Sequence, residues 1–300
     1  MIRIGVDFGG TKIEAAALDE GGEYRARIRR PNPGEYHAAI ATLRELVEAV
    51  EAEVGARFAR VGLGIPGSLS PAAGTVRNAN STWLNGRPFQ QDLAAALGRE
   101  VRIENDANCL ALSEAVDGAG AGADVVFAVI IGTGVGGGLV AHGRPIGGRN
   151  GVGGEWGHTP LPWQRADEHP GPLCWCGRRG CMEQWVSGPA FAARSAEAFP
   201  SLAGKAAPDI VAAAQAGDAD AQAAIDLLVD RLARGLAVVA DVCDPDAFVL
   251  GGGLSNLELL YERLPEAVSG YVFSDTFTTP IRRAKWGDSS GVRGAAWLWP

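Results

Sequence analysis

Apolar and polar positions alternate along the chain in short strand-like and longer helix-like blocks. Ile2 to Phe8 is an apolar run of strand length that enters Gly9-Gly10-Thr11-Lys12, after which IEAAAL can return as a second strand. Residues 35–54 carry apolar positions at helical spacing, 61–65 read as a strand ending in the turn Pro66-Gly67, and 101–104 read as another. Asp106 then precedes ANCLALSEAV, whose spacing is helical. The second half restarts with the fully apolar VVFAVII, a turn at Gly132-Thr133-Gly134 and the returning VGGGLVA, echoing the opening GVDFGGT. Helical patterns follow near 188–199, 207–216 and 218–242; the strand AFVL runs into Gly251-Gly252-Gly253, and GVRGAAWLW closes the chain. Strands alternating with helices, with an internal echo of strand and glycine turn, predict an α/β fold of two related halves flanking a cleft. The hinge is expected near residue 117, with the C-terminal helix packing back on the first half.

Composition narrows the function classes. At 300 residues, 47% hydrophobic and 21% charged, the chain can bury two cores and is neither disordered nor fibrous. Its net charge of −8, from 27 basic and 35 acidic residues, disfavours a nucleic-acid surface and leaves no polybasic patch for anionic membranes. Small molecules are the expected partners. With no apolar run of about 18 residues and no signal-type opening, the expected location is cytoplasmic.

Between His158 and Glu183 lies a loop that concentrates thiols. His158, Cys174, Cys176 and Cys181 form a Cys3His set suited to a closed, structural zinc site, with Gly177 and Gly180 letting the backbone wrap. A redox thiol pair or unligated loop cysteines are the alternatives that C-x-C-x4-C leaves open. Glu155 and Glu183 bracket the loop, so folding it around a metal would fix both. Cys109 and Cys243 fall in apolar helical patterns and read as buried thiols.

Three strands end in glycine-rich turns: Asp7 to Lys12, Gly132 to Gly134 continuing to Gly136–Gly138, and Gly251 to Gly253. Each alone reads as a structural hairpin. Two matching hairpins in related halves can instead present backbone amides to a triphosphate, with Asp7 placed to hold water on Mg2+. None matches a P-loop, and no G-x-G-x-x-G opens a helix after the first strand.

DFGGTK at 7–12, GIPG at 64–67, ENDAN at 104–108, IIGTGVGGG at 130–138, GEWGH at 154–158 and CWCGRRGCME at 174–183 together resemble the ROK family of sugar kinases. The likeness runs in order over essentially the whole chain to GDSSGVRGAAWLW. Within the family, NANSTWLNG at 78–86 and the tail are most similar to bacterial manno(fructo)kinases, although here Trp286 precedes the tail. The resemblance implies an actin-like ATPase (ribonuclease H-like) fold: a smaller α/β domain at 1–117 plus a helix at about 288–300, and a larger one at 118–287 carrying the zinc loop at 158–181. It implies ATP, Mg2+ and structural Zn2+, and phosphorylation of a hexose 6-hydroxyl, with fructose the leading substrate and mannose second. Asp106 is the implied general base, and an N-cap role for it is compatible. Implied sugar contacts are Gly67, Asn80, Asn105, Asp106, Glu155, His158 and Glu183. Gly5, Asp7, Gly9, Gly10, Thr11 and Lys12, with Gly132, Thr133, Gly134, Gly136, Gly137 and Gly138, would hold the phosphates. Gly251, Gly252 and Gly253 would lie near the adenosine. A homodimer is expected. Alternatives within the family are a glucokinase or an N-acetylhexosamine kinase. From other classes come a sugar-responsive transcriptional regulator, which would need an N-terminal helix-turn-helix for which this chain has no room, and a noncatalytic sugar-binding protein.

Overall fold

The computed structural model describes residues 2–299. The opening apolar run forms β1 (Arg3–Phe8), and the glycine turn returns it antiparallel as β2 (Lys12–Leu18), closed by Gly9 N–H donating to Lys12 O at 3.0 Å. An edge strand, β3 (Tyr24–Pro31), pairs antiparallel with β2. Helix α1 (Tyr36–Val54) forms because Tyr36, Ala39, Leu43, Leu46, Val47 and Val50 fall on one buried face. Glu35 caps it by accepting from the N–H groups of His37 and Ala38, and Gly55, at φ 72°, ends it in the left-handed region.

Next, β4 (Arg60–Ile65) lies parallel to β1. A short hairpin, β5 (Ser68–Leu69) and β6 (Val76–Arg77), and helix α2 (Phe89–Leu97) lead to β7 (Glu100–Asn105), which is parallel to β4 and passes directly into α3 (Asp106–Val116). The sheet order is β3-β2-β1-β4-β7. Val6, Phe8, Leu43, Leu63 and Phe89 anchor its core, with the Phe8 and Phe89 rings edge to face at 5.4 Å.

The second sheet uses the echoed pattern: β8 (Val125–Ile131), β9 (Val135–Ala141) and the short β10 (Arg144–Pro145). Helices α4 (Glu183–Val186), α5 (Gly188–Ala198), α6 (Ala207–Gln215) and α7 (Ala219–Cys243) precede β11 (Ala247–Gly251), which is parallel to β8. Helix α8 (Leu259–Ser269) then leads to β12 (Ile281–Arg283), parallel to β11. The order β10-β9-β8-β11-β12 repeats that of the first sheet, so the internal echo in the sequence is a repeat of topology. The α/β, actin-like expectation holds.

Two compact units divide the chain: Met1–Gly122 with Gly138–Gly154 and Lys285–Pro300, and Ala123–Gly137 with Glu155–Ala284. Compared with boundaries at 117 and 288, the first unit also takes in residues 138–154.

The last helix, α9 (Ser290–Trp297), belongs to the first unit and rests on its backbone. A Cβ on Gly5 of β1 would lie 2.2 Å from Val292 O, one on Gly62 of β4 1.8 Å from Ala295 O, and one on Gly294 1.8 Å from Cys109 O of α3. Fully buried Glu114, on α3, holds the approach to this helix. Its carboxylate accepts from the N–H groups of Ala119, Lys285 and Trp286 at 2.8–3.0 Å and from the Ser290 hydroxyl at 3.1 Å. Glu114→Ala leaves those partly buried donors without an acceptor and should lower unfolding free energy by about 3 kcal/mol or more, read from urea denaturation. A loss below about 1 kcal/mol would show that the network is dispensable.

Candidate functional site

Within the first unit, the candidate side chains sit where β1 and β7 end. Asn105, the last residue of β7, caps α3: its Oδ1 accepts from Ala107 N–H at 2.8 Å, while its Nδ2 donates to Gly67 O at 2.8 Å. The cap expected of Asp106 therefore falls one residue earlier. Asp106 is the first residue of the helix, and its Oδ1 also accepts from Ala107 N–H at 2.8 Å. Glu104 Oε1 accepts from the Asn105 backbone and from Asn108 Nδ2, both at 2.9 Å, bracing the strand-to-helix junction. No motif logic singled out Glu104, since a strand-end carboxylate has no distinctive spacing.

Asp7 lies at the end of β1. Burial, followed by the nearby charges of Asp106 and Glu14, pushes its carboxyl up to about 6. Beyond it, Gly10, Thr11 and Lys12 are exposed at the tip of the first hairpin, and Asn80 is exposed on its own loop. Gly5 does not share that tip; it is buried in β1 beneath α9, where its missing side chain admits the helix. Gly138 is likewise buried, and a Cβ there would meet Ala107 O at 2.6 Å. These two glycines, expected at phosphates, occupy packing positions.

In the second unit, the turn at Gly132-Thr133-Gly134 is closed by Gly132 N–H donating to Gly134 O at 3.0 Å, and Gly132 O accepts from Gly188 N–H at 2.8 Å. Gly136 O is taken by the Trp156 indole N–H at 2.8 Å, and Gly137 is buried. Gly251 is buried within β11, whereas Gly252, at φ 84°, lets the turn after β11 close on the backbone of Ile131. A cavity of about 870 Å³ opens there, lined by Thr133, Pro189, Ala207, Val211, Leu254 and Leu257 among others. Its walls come from α5, α6 and the turn after β11, and it is mostly apolar. Of this lining the sequence offers Thr133, while Ala207 and Val211 read as core because alanine and valine on a helix carry no other signal.

The thiol loop closes as anticipated. Ligand atoms of His158, Cys174, Cys176 and Cys181 all lie within 4.8 Å of one another, with His158 Nδ1 3.6 Å from Cys174 Sγ and Cys176 Sγ 3.6 Å from Cys181 Sγ. Tetrahedral zinc thiolates at about 2.3 Å would place sulfurs about 3.8 Å apart, so the set fits that ion. Cys174 N–H donates to Arg178 O at 2.8 Å and Gly177 N–H to Cys174 O at 2.9 Å, turning the loop tightly. Burial, then its neighbours Cys176 and Cys174, push the Cys181 thiol up to about 12. A cation among these sulfurs reverses that penalty. The imidazole converging with three thiols favours a metal over a simple redox pair.

Beside the loop stand the two bracketing carboxylates. Glu155 is exposed ahead of a short helical turn that carries His158. Glu183 opens α4; its Oε2 accepts from Val135 N–H at 3.1 Å and its Oε1 from the Trp175 indole N–H at 2.8 Å. Gly134 makes room for it, since a Cβ there would lie 2.8 Å from Glu183 Oε2.

Comparison with known proteins gives this geometry a context. A family model described as the ROK family matches residues 3–300. An N-acetyl-D-glucosamine kinase from Vibrio parahaemolyticus is 42% identical over 299 residues, 98% of either chain. One from Yersinia pseudotuberculosis is 40% identical over 299 residues, 98% of this chain and 97% of its own. Among solved structures, a ROK hexokinase from Thermus thermophilus aligns with a TM-score of 0.88 and 34% identity, over 99% of this chain and 97% of its own. A ROK family glucokinase from Streptomyces griseus, in complex with glucose and AMPPNP, aligns with a TM-score of 0.77 and 31% identity over 99% of each chain.

If the four ligands hold zinc, metal analysis of the purified protein should find about one equivalent per chain, and Cys176→Ser should abolish it and lower Tm. Metal-free, fully stable wild-type protein would reject the site.

Proposed function

The chain belongs to the ROK family, and from that membership we propose that it is an ATP-dependent sugar kinase acting on the 6-hydroxyl of N-acetyl-D-glucosamine. Identity of 42% to an N-acetyl-D-glucosamine kinase, spread over 98% of both chains, carries the choice of acceptor. Fructose, expected from residues 78–86, finds no support in the kinases described above, and the acetylated-hexosamine alternative replaces it.

In this reading Asp106 removes the proton from the 6-hydroxyl as that oxygen attacks the γ-phosphorus and the bond to the ADP oxygen breaks. Its place at the start of α3 and its contact with Ala107 N–H hold the carboxylate in one orientation, as a base requires. Asn105, fixed through Gly67 and Ala107, presents the residue beside it in a constant orientation. Glu155, His158 and Glu183 bind ring hydroxyls, and a site committed to such bonds rejects analogues that lack them. The backbone amides of Gly10 and Thr11 and of Thr133 and Gly134 bind the phosphates, and the apolar cavity beside Thr133 takes the adenine ring. Mg2+ bound with the nucleotide would neutralise charge on the phosphate oxygens. Asp7 suits it, because a carboxyl raised by burial and then by its neighbours regains its charge near a cation.

Following ADP release with Mg-ATP and a panel of N-acetylglucosamine, N-acetylmannosamine, glucose, mannose and fructose tests the acceptor. The highest kcat/KM is expected for N-acetylglucosamine; a preference for fructose would return the assignment to the sequence expectation. Asp106→Asn should cut kcat by roughly 10^2- to 10^4-fold while leaving Tm within a few degrees of the parent. Near-normal turnover in that variant would remove Asp106 from the mechanism.

A further inference from the structure

Trp175 stands between two of the metal-ligand cysteines, yet its side chain is 66% exposed, unusual for the largest apolar side chain. Two contacts hold it there. Its indole N–H donates to Glu183 Oε1 at 2.8 Å, and its ring meets the His158 imidazole edge to face, with centroids 4.9 Å apart and planes at 84°. Both neighbours belong to the set assigned above to the acceptor hydroxyls. Glu183 Oε2 is already taken by Val135 N–H, so the two oxygens of one carboxylate are fixed from opposite origins, the glycine turn after β8 and the thiol loop.

We propose that Trp175 is a positioning residue for the sugar acceptor, transmitting the fixed geometry of the Cys174–Cys176 turn to the Glu183 carboxylate through its indole N–H. This rests on the acceptor role given to Glu183. The physical argument is that a carboxylate directed at a hydroxyl must keep one rotamer to gain from the bond. A glutamate not held in this way samples several rotamers and loses that gain to entropy. Backbone amide and indole donors together hold one rotamer while leaving each oxygen a further lone pair for sugar hydroxyls. An indole serves here better than a flexible amide side chain, because its own backbone is closed by Cys174 O accepting from Gly177 N–H. In this way a metal site with no chemical step of its own affects acceptor affinity.

Trp175→Phe keeps the ring and removes only the N–H, and it tests the proposal in two arms. The first uses no sugar. With 15N-labelled indoles, the resonance missing from Trp175→Phe identifies Trp175, and that resonance should shift in Glu183→Gln; an unmoved resonance means the contact is absent, and the proposal fails. The second uses whichever acceptor the wild type phosphorylates best. Trp175→Phe should raise the acceptor KM about tenfold, the loss expected for one charge-assisted hydrogen bond, with kcat and the KM for ATP within about twofold and bound zinc unchanged. Combining it with Glu183→Gln should add little further loss of acceptor binding by calorimetry, since both act through one bond. Fully additive losses, or an unchanged acceptor KM, overturn the proposal. A wild type that prefers another hexose would overturn the acceptor assignment alone, because the indole shift does not depend on which sugar binds.

Discussion

The first unit depends on a helix lying at backbone contact with a sheet. Glycine at positions 5, 62 and 294 allows α9 to rest on β1, β4 and α3 at distances that no side chain tolerates. Glu114 and Asp117 on and after α3 then tie down the residues that lead into that helix. Lys285 and Trp286 donate backbone N–H groups to Glu114, and the Trp286 indole donates to Asp117 at 2.9 Å. The functional consequence is positional. Asp7 lies one residue before the end of β1 and α3 begins with Asp106, so a helix wedged against both elements fixes the burial and the Asp106 repulsion that together raise Asp7. A Cβ at Gly291, at the start of α9, would lie 2.9 Å from the Asp7 carboxyl carbon, so the same helix also shapes the space around that group.

A different device holds the second unit's loop. Glu168 is buried and receives Arg234 through two bonds of 2.8 Å, Arg231 at 3.0 Å and Arg165 N–H at 3.1 Å. Burial by itself raises its carboxyl, but these donors outweigh it and hold the group at about 2. A carboxyl depressed on folding stabilises above its unfolded value of about 4.3 and loses that contribution as pH falls toward 2. The loop that bears the thiols is thus pinned to α7 at one end by ions and closed at the other by its ligand set.

Much of this was legible in the sequence, and the exceptions have physical reasons. Both glycine hairpins could be read because an apolar strand flanks each side of the turn. The convergence of His158, Cys174, Cys176 and Cys181 could be read because thiols and an imidazole are rare and lie close in number. The position of the α3 cap was missed by one residue, since Asn and Asp cap equally well and only the end of β7 decides between them. β3 and β12 escaped because arginines dominate their exposed edges, and α8 because Pro265 interrupts its pattern. Gly5 and Gly138 look like phosphate glycines in sequence, and only tertiary packing reveals that helices cover them. Trp175 carries no spacing signal at all. Its importance comes from a single hydrogen bond to a residue eight positions away.

The proposed reaction has a carboxylate at the head of a helix deprotonating a primary hydroxyl of an acetylated hexose. The most direct measurement is correlated proton and phosphorus NMR of the product formed from Mg-ATP and N-acetylglucosamine. A single phosphomonoester whose phosphorus couples to the methylene protons at carbon 6 is the predicted result. Phosphorus coupled to the anomeric proton, or inorganic phosphate with unchanged sugar, would contradict the account.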